Sequence, residues 1–134
     1  MRQYVTDTQC LLWYLADDRR LPRAAGRIFS GADDGTVQIL VPSIVVVESI
    51  FLAQRQRVAS DILAQMLELR EDLDDSIAVV PLHMAIVKSL IDFGPAAVPE
   101  LADRVIAATA LSLGLPLLTV DHAIAASGLV EVIS

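Results

Sequence analysis

Four carboxylates stand at positions where the surrounding apolar sequence gives no structural reason for a charge. Asp7 and Asp121 each close a short run of mostly apolar residues. Glu48 interrupts the apolar stretch from 44 to 53, and Asp103 precedes another such stretch. An ionised carboxylate that is buried without a partner costs more free energy than a small domain can lose. Each acid must therefore reach water, a hydrogen-bond donor or a cation, and a shared all-oxygen site would select Mg²⁺ or Mn²⁺.

The residues needed for other catalytic chemistries are missing or isolated. Zinc is disfavoured, because His83 and His122 have no companion at ligand spacing and Cys10 is the single cysteine. His122 follows Asp121 directly, but a surface or capping position is the simpler expectation for it. No serine or threonine is accompanied by a histidine and an acid at a spacing that would indicate a hydroxyl nucleophile. No glycine-rich loop is present to hold phosphates.

Length and composition describe one small globular domain. A chain of 134 residues can bury a single core without disulfides, so we expect one domain over residues 1–134. Cys10 lies in an apolar run, which predicts a buried side chain and fits a reducing cytoplasm. We expect neither a signal peptide nor a membrane span.

The net charge of -7 argues against binding to nucleic acid through overall charge. A local site stays open, because cations held by the four acids would offset their charge where a phosphate binds. Nine of the ten basic residues are arginine, which suits bidentate phosphate contacts. The candidates for contacts with a nucleic-acid backbone are Arg19, Arg20, Arg23, Arg55 and Arg57. The alternative is a solvated helix end, balanced by Asp17 and Asp18.

Short branched runs alternate with longer helical patterns, which is typical of an α/β fold with a parallel sheet covered by helices. We predict strands at residues 3–6, 37–41, 77–80, 116–120 and 129–133. We predict helices near residues 8–17, 22–31, 44–57, 59–73, 82–92 and 101–113. The branched run from Ile44 to Val47 favours a strand locally, but Pro42 followed by Ser43 as an N-cap favours a helix.

Such a fold would bring the four acids to one edge of the sheet. Ligands of open parallel sheets bind outside the carboxyl ends of the strands, which is where Asp7 and Asp121 fall. Asp103 lies in the first turn of its predicted helix and Glu48 about one turn after Ser43, so both can face that edge. Without a cation the cluster would repel itself, and at least one pKa should rise.

Each acid also has an ordinary structural explanation when it is taken singly. Asp7 and Asp121 can be helix N-caps, and Asp103 can be a first-turn partner of the helix dipole. Glu48 can be an exposed helix residue. The four explanations are less persuasive jointly than a shared site.

Several short blocks in a fixed order carry a family resemblance. They are Val5-Thr6-Asp7-Thr8 followed by Leu11 to Leu15, Pro42-Ser43 leading to Glu48, Leu101 to Ala110, and Leu118-Thr119-Val120-Asp121. In these blocks the chain resembles the PIN domain, and within it the ribonuclease toxins of bacterial toxin-antitoxin pairs. The resemblance implies a three-layer sandwich in which helices flank a central, mostly parallel five-stranded sheet.

The resemblance also implies roles for individual residues. Asp7, Asp103 and Asp121 would bind metal, and Glu48 would join them as a catalytic acid. Thr119 matches the hydroxyl residue that supports the site. Gln9 departs from the serine or histidine expected shortly after the first aspartate.

By the same resemblance the expected activity is that of an endoribonuclease that depends on Mg²⁺ or Mn²⁺. We hypothesise that a water molecule attacks the RNA phosphodiester directly, activated by a cation that is bound mainly by Asp7 and Asp103. A second cation, shared with Asp121, would offset charge on the leaving oxygen. Glu48 would complete the shell or position the water. Single-stranded or loop RNA would reach such a site most readily.

The implied partners are a cognate antitoxin and a second copy of the chain. The C-terminal segment of the antitoxin would cover the acidic pocket. The apolar fraction of 54% is compatible with a buried dimer interface on the helices from 44 to 73, although an alanine-rich core would give the same composition. Two other functions stay open. A catalytically silent module would keep this fold and act only through a protein partner. A phosphohydrolase that forms an aspartyl-phosphate usually has a second acid two residues after the first, where this chain has Gln9.

Overall fold

Five short strands form a single sheet in the computed structural model, which describes all 134 residues. The strands are β1 Arg2–Thr6, β2 Val37–Pro42, β3 Ile77–Val80, β4 Leu117–Leu118 and β5 Val132–Ile133. Their order across the sheet is β3-β2-β1-β4-β5, and every neighbouring pair is parallel. The predicted α/β class and five-stranded sheet are confirmed. The sheet is parallel throughout, and its last two strands are shorter than predicted.

Seven α-helices flank the sheet, one more than the sequence predicted. They are α1 Thr8–Leu15, α2 Arg23–Asp33, α3 Ser43–Gln54, α4 Ser60–Leu67, α5 Met84–Ser89, α6 Leu101–Leu113 and α7 His122–Ser127. The chain forms a helix rather than a strand after Ser43, as expected. The unpredicted helix is α7, which has 6 residues. None of the helices combines the length and apolar character needed to cross a membrane.

The fourth helix is shorter than the predicted helix at residues 59–73, because α4 ends at Leu67. Five of the eight residues from 68 to 75 are acidic, and acids are unfavourable at a helix C-terminus. Arg70 forms an ion pair with Asp75 at 2.8 Å and a parallel bridge with Ala78 instead. The segment after α4 therefore leads directly into β3.

Both faces of the sheet are buried. In β1 the consecutive residues Tyr4, Val5 and Thr6 point to alternate faces, yet each is at most 7% exposed. This double burial explains why the strands are continuous apolar runs rather than alternating ones. Helices cover both sides, which gives the three layers of the expected sandwich. Cys10 is a free, fully buried core residue, as predicted.

The direction of the sheet reverses between β1 and β4. From β1 the chain moves outward to β2 and β3, then crosses back to β4 on the other side of β1 and continues to β5. Loops that leave two such strands run to opposite sides and leave a crevice between them. Thr6 pairs with Leu118 in the register of the sheet. The residues that follow them, Asp7 and Thr119, therefore lie side by side at the crevice.

Candidate active site

Asp7 is fixed by two hydrogen bonds at the junction of β1 and α1. It is the N-cap of α1, and its Oδ1 accepts the Cys10 N–H at 2.8 Å. Its Oδ2 accepts the hydroxyl of Thr119 at 2.6 Å. Asp7 is only 6% exposed. Burial raises the pKa of its carboxyl, although both hydrogen bonds act in the opposite direction. The N-cap explanation is therefore correct, and the same side chain also lines the crevice.

Thr119 links the ends of the neighbouring strands β1 and β4. Its Oγ1 donates to Asp7 and accepts the backbone N–H of Asp121 at 3.1 Å. Asp121 is in turn the N-cap of α7, and its Oδ1 accepts the Ile124 N–H at 2.9 Å. Thr119 is fully buried. Its hydroxyl therefore fixes the positions of two acids relative to each other.

Glu48 reaches the site from the other side, as the sixth residue of α3. Its Oε1 accepts the hydroxyl of Thr8, the first residue of α1. No protein group bonds its Oε2, which is free to face the cleft. The start of α1 thus holds two acids, Asp7 through the cap and Glu48 through Thr8.

Asp103 projects from the first turn of α6, where the sequence predicted it. The next residue, Arg104, donates to the carbonyl oxygens of Phe93 at 3.2 Å and of Gly94. These bonds tie the start of α6 to the preceding loop. Asp103 is half-buried and lines the cleft. The helix that carries it is fixed at its first turn.

The charges of the four acids act on one another across the cleft. Burial raises the pKa of Asp103, and the charges of Asp121, Glu48 and Asp7 raise it further, to about 7. The Asp103 carboxyl therefore keeps its proton to a higher pH than a free aspartate does. The rise expected for one member of the cluster is therefore found at Asp103.

One open cleft of about 460 Å³ is lined by all four predicted acids. The structure thus brings together Asp7, Glu48, Asp103 and Asp121 from four separate segments of the chain. Sequence reasoning did not assign the other lining residues to the site, namely Thr8, Gln9, Leu52, Val120 and His122. Three of these, Thr8, Gln9 and His122, lie in the first turns of α1 and α7. A helix start directly after a strand-end acid is the signal that would have indicated them.

The donor set of the cleft suits a hard divalent cation. Four carboxylates offer only oxygen ligands, which is the preference of Mg²⁺ and Mn²⁺. No three acidic, histidine or cysteine side chains lie at the spacing of ligands around a single ion. Repulsion between the carboxylates disfavours a tighter cluster, and a positive charge in the cleft would offset that repulsion. Asp7, Asp103 and Asp121 are the residues that could hold the cation, with Glu48 beside them.

The five candidate arginines do not lie together. Arg20 and Arg57 line a second pocket next to the acidic cleft, whereas Arg19, Arg23 and Arg55 are exposed and line neither. The Arg20 guanidinium is paired with Asp18 at 2.7 Å, as the alternative of a balanced helix end expects.

Comparison of the sequence with protein families gives one match. The family model described as the PIN domain matches residues 4–127. No curated protein matches the sequence.

Solved structures with a similar fold come from bacterial toxin-antitoxin systems. VapBC2 from Rickettsia felis, bound to a DNA fragment from its promoter, has a TM-score of 0.70 and 13% identity, with 98% of this chain and 97% of that chain covered. VapC20 from Mycobacterium tuberculosis, described as a toxin that cleaves the sarcin-ricin loop, has a TM-score of 0.69 and 16% identity, with coverage of 98% and 99%. DNA-bound VapBC from Salmonella typhimurium has a TM-score of 0.64 and 16% identity, with coverage of 99% and 98%. At such identities the likeness shows the fold.

Proposed function

The chain belongs to the PIN domain family, and we propose that it is an endoribonuclease that depends on Mg²⁺ or Mn²⁺ and acts as the toxin of a toxin-antitoxin pair. The observation that carries this proposal is the convergence of Asp7, Glu48, Asp103 and Asp121 on one cleft. Four acids that repel one another are costly unless a cation uses them. A structural role for each acid would not require all four to share one cavity.

Different residues of the cleft are suited to metal binding and to proton transfer. A bound Mg²⁺ or Mn²⁺ supplies positive charge at the phosphate and lowers the pKa of coordinated water. Asp7 is held in one orientation by Thr119 and Cys10, so it enters the reaction without rearrangement. Glu48 keeps Oε1 on Thr8 and presents Oε2 to the cleft, where it can orient the attacking water and accept its proton.

RNA is the substrate that this cleft suits in our proposal. The acids lie at an open edge of the sheet, so an exposed phosphodiester in a loop or single strand can approach them. VapC20 is described as cleaving the sarcin-ricin loop, and we extend the class of looped RNA, not that target, to this chain. The net charge of -7 makes productive RNA binding dependent on the cation.

A cognate antitoxin is the proposed protein partner. Two of the similar structures are VapBC complexes bound to DNA. An antitoxin segment with a basic side chain would neutralise the acidic cleft in place of the cation. We place both partners and the RNA in the cytoplasm, where the free thiol of Cys10 stays reduced.

A homodimer is the proposed assembly, through the face of the helices at residues 44–73 that carries Val47 and Phe51, which lies outside the second pocket lined by Leu52 and Arg57. Val47 and Phe51 are one helical turn apart on α3, and they are 42% and 56% exposed. Leu67 at the end of α4 is 56% exposed. Large apolar side chains exposed together on neighbouring helices indicate a contact surface.

Cleavage of a labelled total-RNA pool tests the proposal. We expect wild-type protein to cut RNA with Mn²⁺ or Mg²⁺ and not with EDTA, and Asp7→Asn and Asp103→Asn to abolish cutting. Asp61→Asn is the matched control, because Asp61 also lies in the first turn of a helix but is exposed outside the cleft. Intact RNA with folded, metal-loaded wild type would favour the catalytically silent module instead.

A further inference from the structure

A second pocket lies beside the acidic cleft and shares part of its wall. This cavity, which we name the Trp13 pocket, has a volume of about 380 Å³ and is lined by 11 residues. Gln9 and Leu52 line both the cleft and this pocket. An extended ligand that occupies the cleft therefore has the Trp13 pocket within reach.

Two helix ends frame the Trp13 pocket, and each contains a left-handed residue that is not glycine. Asp17 after α1 has φ 52° and Gln56 after α3 has φ 59°. These are the only non-glycine residues of the chain with positive φ. Each stands at the helix-capping position where glycine is usual, so an L side chain there is strained. Strained residues that persist tend to cluster at functional sites.

These caps turn the following residue back onto the last turn of its own helix. The Asp18 N–H donates to the Trp13 carbonyl at 2.8 Å, and the Arg57 N–H donates to the Leu52 carbonyl at 2.8 Å. All four of these residues line the Trp13 pocket. The two strained caps therefore place charged side chains beside apolar ones in one pocket wall.

The wall of the Trp13 pocket has unused binding capacity. Arg20 lies over the Trp13 ring, 5.6 Å from its centroid, and is paired with Asp18. Arg57 is exposed and forms no ion pair, so the wall keeps one unpaired positive charge. The indole nitrogen of Trp13 is buried and donates to no acceptor of the protein. Buried donors without a protein partner usually bond an ordered water.

We propose that the Trp13 pocket binds the nucleotide that adjoins the cleaved phosphodiester bond, an inference that rests on the nuclease function proposed above. The base would lie against the side chains of Trp13 and Leu52, and its phosphate would pair with Arg57. Proteins bind single-stranded nucleic acid by this combination of aromatic surface and arginine. The pocket would then select the base at one position of the RNA and thereby the cleavage site.

A nucleotide suits the Trp13 pocket better than an apolar side chain of a protein partner. An apolar side chain would cover the wall but leave the charge of Arg57 without a partner. A nucleotide supplies an anion, hydrogen-bond acceptors and a flat apolar face in one unit. Because the Trp13 pocket adjoins the acidic cleft, a single RNA strand can occupy both.

The four nucleoside 5′-monophosphates test the pocket without catalysis, because they contain no phosphodiester bond. Trp13 is the only tryptophan, so its indole N–H gives a single resonance in a ¹H–¹⁵N NMR spectrum recorded in EDTA. We expect a saturable shift of this resonance, with one base preferred. Arg57→Gln should weaken binding about tenfold, the loss expected for a charge-assisted contact. An indole resonance that responds to none of the four nucleotides would overturn the proposal.

Arg2→Gln is the matched control, because it removes the same charge from an exposed arginine at the opposite end of β1. It should leave nucleotide affinity within about twofold, since a distant exposed charge is screened by salt. Equal losses in Arg57→Gln and Arg2→Gln would contradict a specific site. A response to apolar peptides but to no nucleotide would assign the pocket to a protein partner and overturn the inference.

Mapping of cleavage sites separates this inference from the nuclease function. Trp13→Leu should relax the base preference beside the cut and lower kcat/KM about tenfold, the cost of losing an aromatic stacking surface. Arg57→Gln alters an exposed side chain, so its effect does not depend on the fold tolerating a change at Trp13. If wild type cuts RNA and both variants keep its cut sites and rates, the subsite is wrong and the nuclease stands. If no metal supports cutting, both proposals fail.

Discussion

Thr119→Val removes one hydroxyl from the centre of the acid network and keeps the shape of the side chain. The bond to Asp7 at 2.6 Å and the bond from the Asp121 N–H at 3.1 Å are both lost. Water cannot easily replace the hydrogen bond to Asp7, because Asp7 is only 6% exposed. A hydrogen bond to a charged group contributes about 1.5–3 kcal/mol and a neutral one about 1 kcal/mol. We therefore expect the free energy of unfolding to fall by about 2.5–4 kcal/mol.

Thr109→Val provides the matched control in the same protein. Thr109 is also buried, at 1% exposed, but its hydroxyl donates to the Val105 carbonyl within α6. Removal of such a bond inside a helix should cost less than about 1 kcal/mol. Urea-induced unfolding in EDTA, followed by circular dichroism, measures both variants on one scale.

The same two variants differ in their expected affinity for metal. Loss of a residue that orients a metal ligand typically weakens binding about 10- to 100-fold. Calorimetric titration with Mn²⁺ should therefore show a weaker Kd for Thr119→Val and an unchanged Kd for Thr109→Val. Equal losses of stability in the two variants would refute the network argument. So would an unchanged Mn²⁺ affinity in Thr119→Val.

Three further predictions follow from the caps, the acids and the exposed apolar surface. In EDTA the free energy of unfolding should fall as pH rises from about 4 to 7, because the folded state raises the pKa of Asp103 to about 7 and binds its proton more tightly than the unfolded chain. Urea titrations at several pH values should show that the free energy of unfolding depends less on pH in Asp103→Asn than in wild type. An unchanged pH dependence would count against the acid cluster. Gln56→Gly should raise the free energy of unfolding by about 1 kcal/mol and Gly114→Ala should lower it by about the same amount, because both positions have positive φ. Thermal unfolding should show a higher Tm for Gln56→Gly and a lower Tm for Gly114→Ala. Shifts of Tm in the same direction for both variants would contradict the argument from positive φ. Phe51→Glu should convert a dimer into a monomer in light scattering with little change in Tm, since Phe51 is 56% exposed in the single chain; a dimer that persists would move the interface elsewhere.

The sequence indicates the sheet and the four acids because each depends on local pattern. Continuous branched runs correspond to strands that are buried on both faces, and the acids at their ends fall at the carboxyl edge. The link between Asp7 and Thr119 joins residues that are 112 positions apart. It depends on β1 and β4 being neighbours, which follows from packing of the whole sheet and not from any short pattern.

Other features were missed because their local signals are weak. The 6 residues of α7 are too few to show a helical period, although the sequence indicates Asp121 as a possible N-cap. The end of α4 is set by acidic repulsion and by the ion pair of Arg70 with Asp75, which compete with helical propensity. Gln56 carries no turn signal, so the cap that places Arg57 in the Trp13 pocket could not be read from the sequence.

The four acids of the cleft are proposed to form one metal-dependent nuclease site. Single-turnover cleavage of an RNA identified from the pool, measured against Mn²⁺ concentration for wild type, Asp103→Asn and Asp61→Asn, is the decisive test of that site. We expect cutting that saturates with Mn²⁺ in wild type and Asp61→Asn and is lost in Asp103→Asn at every concentration. Equal cutting by all three proteins, or cutting that persists in EDTA, would contradict it.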